Sequence, residues 1–299
     1  MRAMTSRRGL LRTATTITAL VLALGACGDD DPSLGTGPTT TPSVDATLAG
    51  KVPASIKLDG KIVVGTDSTY APNEFLAADG KTIQGFDVDL FKAVAAKLGL
   101  TAEFVTAPFD NIIPGVQSGR YEIGVSSFTI NAERKKVADM VSYFEAGTQW
   151  AVKKGNPAQI AADNACGKKV AVQKATVQVD DLTARSKTCT SAGKPAITIE
   201  QYDAQDEATA ALVSGKDDAM LADSPVVAYA VSKTNEQLEL LGEIYDSAPY
   251  GYVVKQNQGE FAQALADALA AVIADGSYQA VLTEWGVEQG AITDPRVNP

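Results

Sequence analysis

The sequence predicts an α/β protein built as two similar lobes. Three observations carry that reading. Strand-like and helix-like stretches alternate from Lys61 to Asp223 in a βαβαβ rhythm, which argues for a mostly parallel sheet flanked by helices. A second strand–helix set begins near Lys168 and repeats the rhythm of the first. The two sets also echo each other: VQSGRYEIGVSS (116–127) and LVSGKDDAMLAD (212–223) superpose without a gap, as helix end, Ser-Gly, a base, an acid and an apolar strand. In that superposition Ser127 falls on Asp223.

In the first set, KIVVGT (61–66) reads as a strand ending in small polar residues. FDVDLFKAVAAKLG (86–99) reads as a helix. Leu90, Phe91, Val94 and Leu98 share one of its faces, and Gly99 sits where a helix C′ residue is wanted. AEFVTA (102–107) follows as a strand, NIIPGVQSG (111–119) as a short helix and YEIGVSS (121–127) as a strand. In the second set KKVAVQ (168–173), AITIEQY (196–202) and DAMLAD (218–223) are strands, separated by helices at 177–188 and 206–215. The chain closes with PYGYVVK (249–255), a helix from about Gln258 to Ala274 and a shorter one at 277–286. Phe261, Leu265, Leu269 and Val272 stripe the long helix, which reads as cladding for the first lobe because the second already has its own helices. Ligands of such sheets bind at the carboxyl ends of strands, and Asp67 and Ser127 both fall there.

The N-terminus carries a different signal. Arg2, Arg7, Arg8 and Arg12 precede an apolar run from about Ile17 to Leu24, too short to span a bilayer but suited to a signal-peptide h-region. Leu24-Gly25-Ala26-Cys27 resembles a bacterial lipobox, which implies cleavage after residue 26 and a lipidated Cys27; an ordinary signal with a chance cysteine is the other reading. The stretch 27–55, rich in Gly, Pro, Thr and Asp, reads as a disordered tether. The expectation is therefore an exported protein, lipid-anchored to the outer face of the cytoplasmic membrane.

Charge and cysteine content narrow the chemistry. Without residues 1–26 the chain carries 22 basic and 36 acidic residues, a net charge of −14, which disfavours nucleic acid and anionic lipid as partners. Cys166 and Cys189 remain as an even pair in an oxidising compartment and predict a disulfide, the alternative being two buried free thiols. The chain has no histidine, which excludes Ser-His-Asp and Cys-His catalysis and removes the commonest zinc and copper ligand. No metal and no cofactor is expected.

GFDVDLFKAVAAKL (85–98) resembles the signature of the family 3 extracellular solute-binding proteins, which serve polar amino acid ABC transporters. Gly85-Phe86-Asp87-Val88-Asp89-Leu90 satisfies the pattern in order, followed by Val94, Ala95 and Leu98. Alone, this could be an acidic first helical turn favoured by the macrodipole. GTDSTYAPNEF (65–75), SSFTINAER (126–134), KKVAVQKATVQ (168–178) and MLAD (220–223) resemble family segments in family order, so the resemblance covers about residues 57–290. It implies a type II periplasmic-binding-protein-like fold, with two lobes, two hinge strands and a cleft between the lobes. The crossings are then placed near Thr148–Val152 and Ala248–Val253, with lobe one at 56–147 plus 253–292 and lobe two at 148–252.

The resemblance also assigns roles. Arg134 takes the position that clamps a substrate α-carboxylate through two parallel charge-assisted bonds, a geometry lysine cannot reproduce. Ser126, Ser127 and Thr129 add hydroxyl or backbone N–H donors, and Asp223 from lobe two receives the α-ammonium. Asp67 and Tyr70 resemble side-chain-pocket residues and Phe109 another wall; read singly, the two rings could be packing and Asp67 a turn residue. The loop QKATVQ departs from the pattern, with Ala175 for a common glycine and Val177 for a frequent threonine or glycine. Gln173, the Val177 backbone N–H and Gln178 remain its candidate contacts.

The function expected is capture of a polar L-amino acid and delivery to an ABC importer, by a monomer that is not an enzyme and whose protein partner is the permease. Asp67 and Glu74 lie in pocket segments and Lys174 is the further candidate cation, which leans the ligand toward arginine, lysine, histidine or glutamine. Two other classes compete: an exported cyclohexadienyl-dehydratase-like enzyme, using Asp67, Glu74 or Asp223 as acid or base, and a ligand-sensing module of a signalling system.

Overall fold

The structure, a computed structural model, describes residues 44–299. The expected signal peptide, Cys27 and the expected tether up to residue 43 lie outside the described residues. The elements are α1 (Ala46–Lys51), α2 (Ala54–Lys57), β1 (Lys61–Thr66), β2 (Thr69–Tyr70), β3 (Glu74–Leu76), β4 (Ile83–Gln84), α3 (Phe86–Lys97), β5 (Thr101–Thr106), α4 (Phe109–Ser118) and β6 (Ile123–Gly124). They continue with α5 (Ala132–Lys135), β7 (Asp139–Lys153), β8 (Lys169–Gln173), α6 (Val177–Ser191), β9 (Thr198–Tyr202), α7 (Gln205–Ser214) and β10 (Ala219–Asp223). The last are α8 (Ser224–Lys233), β11 (Leu238–Val254), α9 (Phe261–Ala274) and α10 (Ser277–Trp285).

Eight strands form one sheet in the order β5-β1-β6-β11-β7-β10-β8-β9, and β2, β3 and β4 form a small second sheet. The order is symmetric about its centre. On one flank β5, β1 and β6 run parallel; on the other β9, β8 and β10 do the same. Between them β7 and β11 pair antiparallel along nearly their whole length, and each borders one flank. The sequence echo maps onto this symmetry, because β6 begins at Ile123 and β10 at its superposed partner Ala219. Gly119 and Gly215, also superposed, end α4 and α7 with φ of 80° and 78°, a left-handed turn that glycine adopts without strain.

Burial explains the elements. Leu90, Phe91, Val94 and Leu98 of α3 are buried, and so is the α9 stripe of Phe261, Leu265, Leu269 and Val272. These join Tyr250, Tyr252 and Val254 in one core, as the cladding reading expects, each side chain contributing about 1.5–3 kcal/mol. Trp150, Val152, Val170, Val172, Leu182 and Leu221 build a separate core on the other flank.

Two expectations are corrected, and a position for one crossing is proposed. Residues 46–57, read as part of the disordered tether and the start of lobe one, hold two short helices, α1 and α2, separated by extended Val52 and Pro53. Leu48, Val52 and Ile56 recur every fourth residue and are buried, while the Asp45 carboxylate caps α1 through the Thr47 and Leu48 N–H groups. The Thr, Pro and Gly of the preceding stretch masked that short apolar period. The strand expected over 121–127 is only Ile123–Gly124, because Ser127 turns the chain with a φ of 49°. Along β11, register breaks fall between Leu241 and Tyr245, Tyr245 and Ala248, and Tyr250 and Gly251, and Tyr250 and Tyr252 pair with Phe144 and Val141 inside the first core. We therefore place the second crossing at Tyr245–Ala248 and the return to lobe one before Tyr250, ahead of the 248–253 expected.

Cys166 and Cys189 form a disulfide between the segment before β8 and α6. Neither lines the cleft described below. The Cys166→Ser protein should lose about 3 kcal/mol of stability on the chain-entropy model, measured by urea unfolding, with ligand affinity held within about threefold.

Candidate functional site

The carboxyl ends of the two flanks face each other across a cleft. It is lined by Asp67, Tyr70, Phe109, Ser126, Ser127, Thr129 and Arg134 from one side, and Gln173, Thr176, Val177, Gln178 and Asp223 from the other. Each residue to which the resemblance gave a ligand contact is in this lining, whereas Glu74 and Lys174, the further pocket candidates, are not. Thr176 is the one lining residue that reading left out. As the N-cap of α6 it carried a signal, since threonine ahead of a helical stretch is a helix start. The cleft has a volume of about 290 Å³, and direct hydrogen bonds cross it, so the lobes lie close together.

SSFTINAER turns out to be both a turn into a helix and a wall of this cleft. After β6 the chain reverses at Ser127, and Phe128 and Ile130 pair with β11 through Gly251 N–H to Phe128 O (2.8 Å) and Ile130 N–H to Pro249 O (2.8 Å). Asn131 then caps the single turn of α5, its Oδ1 accepting from Arg134 N–H at 2.8 Å. The Arg134 guanidinium donates to Thr129 O (2.7 Å) and lies over the Phe109 and Phe128 rings, 5.5 and 5.3 Å from their centroids. It makes no ion pair among the described residues, and desolvation lowers its pKa to about 10 against the opposing pull of Asp223. Such a cation, fixed by rings and by the Thr129 and Ala175 carbonyls, still has further N–H donors for an anion.

Asp223 ends β10 on the far side. Its Oδ1 accepts from Gln178 Nε2 (2.6 Å) and its Oδ2 from Tyr250 OH (2.8 Å), while burial pushes its pKa up. Both oxygens retain acceptor capacity, since each carries two lone pairs. Asp67, at the end of β1, is more than a turn residue. It accepts from Thr69 N–H and hydroxyl, from Phe109 N–H (3.2 Å) and, across the cleft, from Gln173 Nε2 (2.7 Å). Burial also pushes its pKa upward. Further bonds span the lobes: Arg134 Nη2 to Ala175 O (3.3 Å), Asp223 N–H to Tyr70 OH (3.3 Å) and Gln205 N–H to Thr69 Oγ1 (3.1 Å).

Ala175 takes a φ of 62°, the left-handed conformation that explains why glycine suits this loop position. The Thr176 hydroxyl is spent within the loop, donating to Gln173 O at 2.7 Å. α6 starts at Val177, so the N–H groups of its first turn open on the cleft side.

Two candidates fall outside the lining. Lys174 Nζ pairs with Asp110 (3.2 Å) and Asp203 (2.7 Å), so it bridges the lobes rather than serving the cleft. Glu74 is fully buried behind the wall, where Ser126 Oγ donates to it at 2.9 Å. Alternation along the short strand β3 turns Glu74 inward and leaves Phe75 outward, against Tyr229 and Trp285.

Two α/β lobes, joined by paired long strands and closing on a polar cleft, constitute the type II periplasmic-binding fold. The chain belongs to the bacterial extracellular solute-binding proteins, family 3, whose model matches residues 62–288. It is 36% identical over 262 residues to the arginine-binding protein ArgT of Corynebacterium glutamicum, covering 87% of this chain and 84% of that one. Among solved structures it resembles an ancestral arginine-binding protein bound to arginine, with a TM-score of 0.70 and 36% identity over 76% of this chain and 98% of that one. It also resembles the ancestral amino acid-binding protein AncCDT-1, a precursor of cyclohexadienyl dehydratase, with a TM-score of 0.70 and 32% identity over 80% of this chain and 99% of that one.

Proposed function

We propose that the protein captures a polar L-amino acid between its lobes and hands it to the permease of an ABC importer, held at the membrane by a lipid on Cys27 and acting as a monomer and not as an enzyme. The observation that carries this reading is one cation and one anion set across a single cleft, Arg134 from lobe one and Asp223 from lobe two. A zwitterion satisfies both: its carboxylate takes the Arg134 fork with Ser127 and Thr129, and its ammonium takes Asp223. Gripping both lobes also favours hinge closure about β7 and β11.

Asp67 is the further acid of the lining, and the lining holds no second cation because Lys174 is engaged elsewhere. A cationic side chain would offset Asp67, and an amide could donate to it, whereas a carboxylate side chain would face it unpaired. The ligand class is therefore basic or uncharged polar, in line with the arginine named for the relatives. Titration calorimetry with a panel of L-amino acids tests this. Binding of arginine, lysine, histidine or glutamine is expected; tight binding of glutamate with none of these would overturn it. Turnover of arogenate or prephenate by the purified protein would overturn the non-enzymatic part.

A further inference from the structure

Behind the serines of the cleft wall lies a second polar layer. Glu74 on β3 and Asp87 on α3 are both fully buried. Ser127 Oγ lies 3.3 Å from Glu74 Oε2 and 3.1 Å from Asp87 Oδ2, so the two carboxyls meet at one hydroxyl. Ser127 N–H donates to Asp87 Oδ2 (3.0 Å), as does Tyr143 OH (2.5 Å), and Asn73 Nδ2 donates to Ser127 Oγ (2.8 Å). Neither carboxyl forms an ion pair among the described residues. The titratable groups facing the pair are Tyr143 from β7, Tyr252 from β11, and Asp67 and Tyr70 from the β1–β2 segment; none is a cation. Two bare charges in such a place would be strongly unfavourable.

A separate observation bears on the proton. Asp87 Oδ1 is buried and has no hydrogen-bond donor, since the donors named above all go to Oδ2. The Glu74 and Asp87 carboxyls lie within hydrogen-bond reach of each other, so a proton held between them can supply a donor.

We propose that Glu74 and Asp87 share one proton and act as positioning residues for Ser126 and Ser127, so that affinity for the ligand carboxylate depends on that proton being present. Burial and the neighbouring charge of Asp87 push the Glu74 pKa well above the ordinary carboxylate range, in agreement. Loss of the proton leaves two negative charges behind the serines. The Ser126 and Ser127 hydroxyls and the Ser127 N–H, which already face the acids, are then held there more tightly as donors, and the field opposes the ligand's carboxylate. Because the folded pKa of Glu74 lies above its unfolded one, the pair's contribution to stability is complete below pH 4.5 and is lost as pH rises through the folded value.

This inference rests on the amino acid reading, and its test separates the two. The first arm follows the Ser127 amide resonance of the ligand-free protein by NMR between about pH 7 and about pH 10, above the range in which Asp87, raised by burial to about 6, itself titrates. A one-proton transition is expected in the wild type and none in Glu74→Gln, whose amide N–H replaces the acid O–H toward Asp87. The second arm measures L-arginine and L-glutamine binding by calorimetry over the same range. Wild-type affinity should fall by up to about tenfold per pH unit above the transition, and Glu74→Gln should flatten that fall. A Ser127 resonance that does not titrate overturns the shared proton. A resonance that titrates while binding shows the same pH slope in both proteins overturns the link to affinity. If neither amino acid binds while the resonance titrates, the function reading fails and the shared proton stands.

Discussion

Arg134→Ala is expected to abolish amino acid binding while leaving the protein folded. The ligand carboxylate would enter a desolvated cleft without its bidentate partner, and removing one member of a buried charge pair costs about 3–5 kcal/mol, more than a hundredfold in affinity. Calorimetry with L-arginine and L-glutamine reads the loss. Stability should change little, because the guanidinium forms no ion pair among the described residues and its strongest bond is to a nearby carbonyl. Arg134→Lys should recover only part of the affinity, since an ammonium supplies the charge without the planar fork that lies over Phe109 and Phe128. Wild-type affinity in either variant would remove Arg134 from the site.

Gly85→Ala is the substitution expected to damage the fold most. Gly85 precedes α3 with a φ of 135°, and a Cβ there would overlap the backbone carbonyl of Asn73. That close approach places β3 and the start of α3 side by side, with Phe86 N–H donating to Pro72 O (3.2 Å) and Asp87 N–H to Asn73 O (3.0 Å). Backbone, unlike a flexible side chain, cannot move aside cheaply, so a loss above about 4 kcal/mol is expected, with Ser127 displaced as Asp87 shifts. Urea unfolding measures it. A loss below about 1 kcal/mol would show that the segment relaxes freely.

Legibility varied with how local each signal was. The α3 and α9 stripes were readable because one apolar face recurs at helical spacing, and the β6–β10 echo because Ser-Gly and a base precede both strands. The short helices at 46–51 and 54–57 were hidden by their Thr-, Pro- and Gly-rich neighbours, although buried Leu48, Val52 and Ile56 recur along them every fourth residue. α8 and most of β11 were left unread between Ser224 and Asp246. A strand that changes partner and core midway does not keep one alternation of burial.

The chain order of the motifs determined the elements, the two-lobed plan and the residues that gather at the cleft, since these follow from local period and from end-of-strand placement. Only the tertiary structure decided what each charge meets. Lys174 is held by Asp110 and Asp203, and Glu74 is turned inward against Ser126, Ser127 and Asp87. Arg134 is left with rings and two carbonyls. A charge's role is set by its neighbours in space, and these come from strands and helices distant in sequence, so no local pattern encodes them.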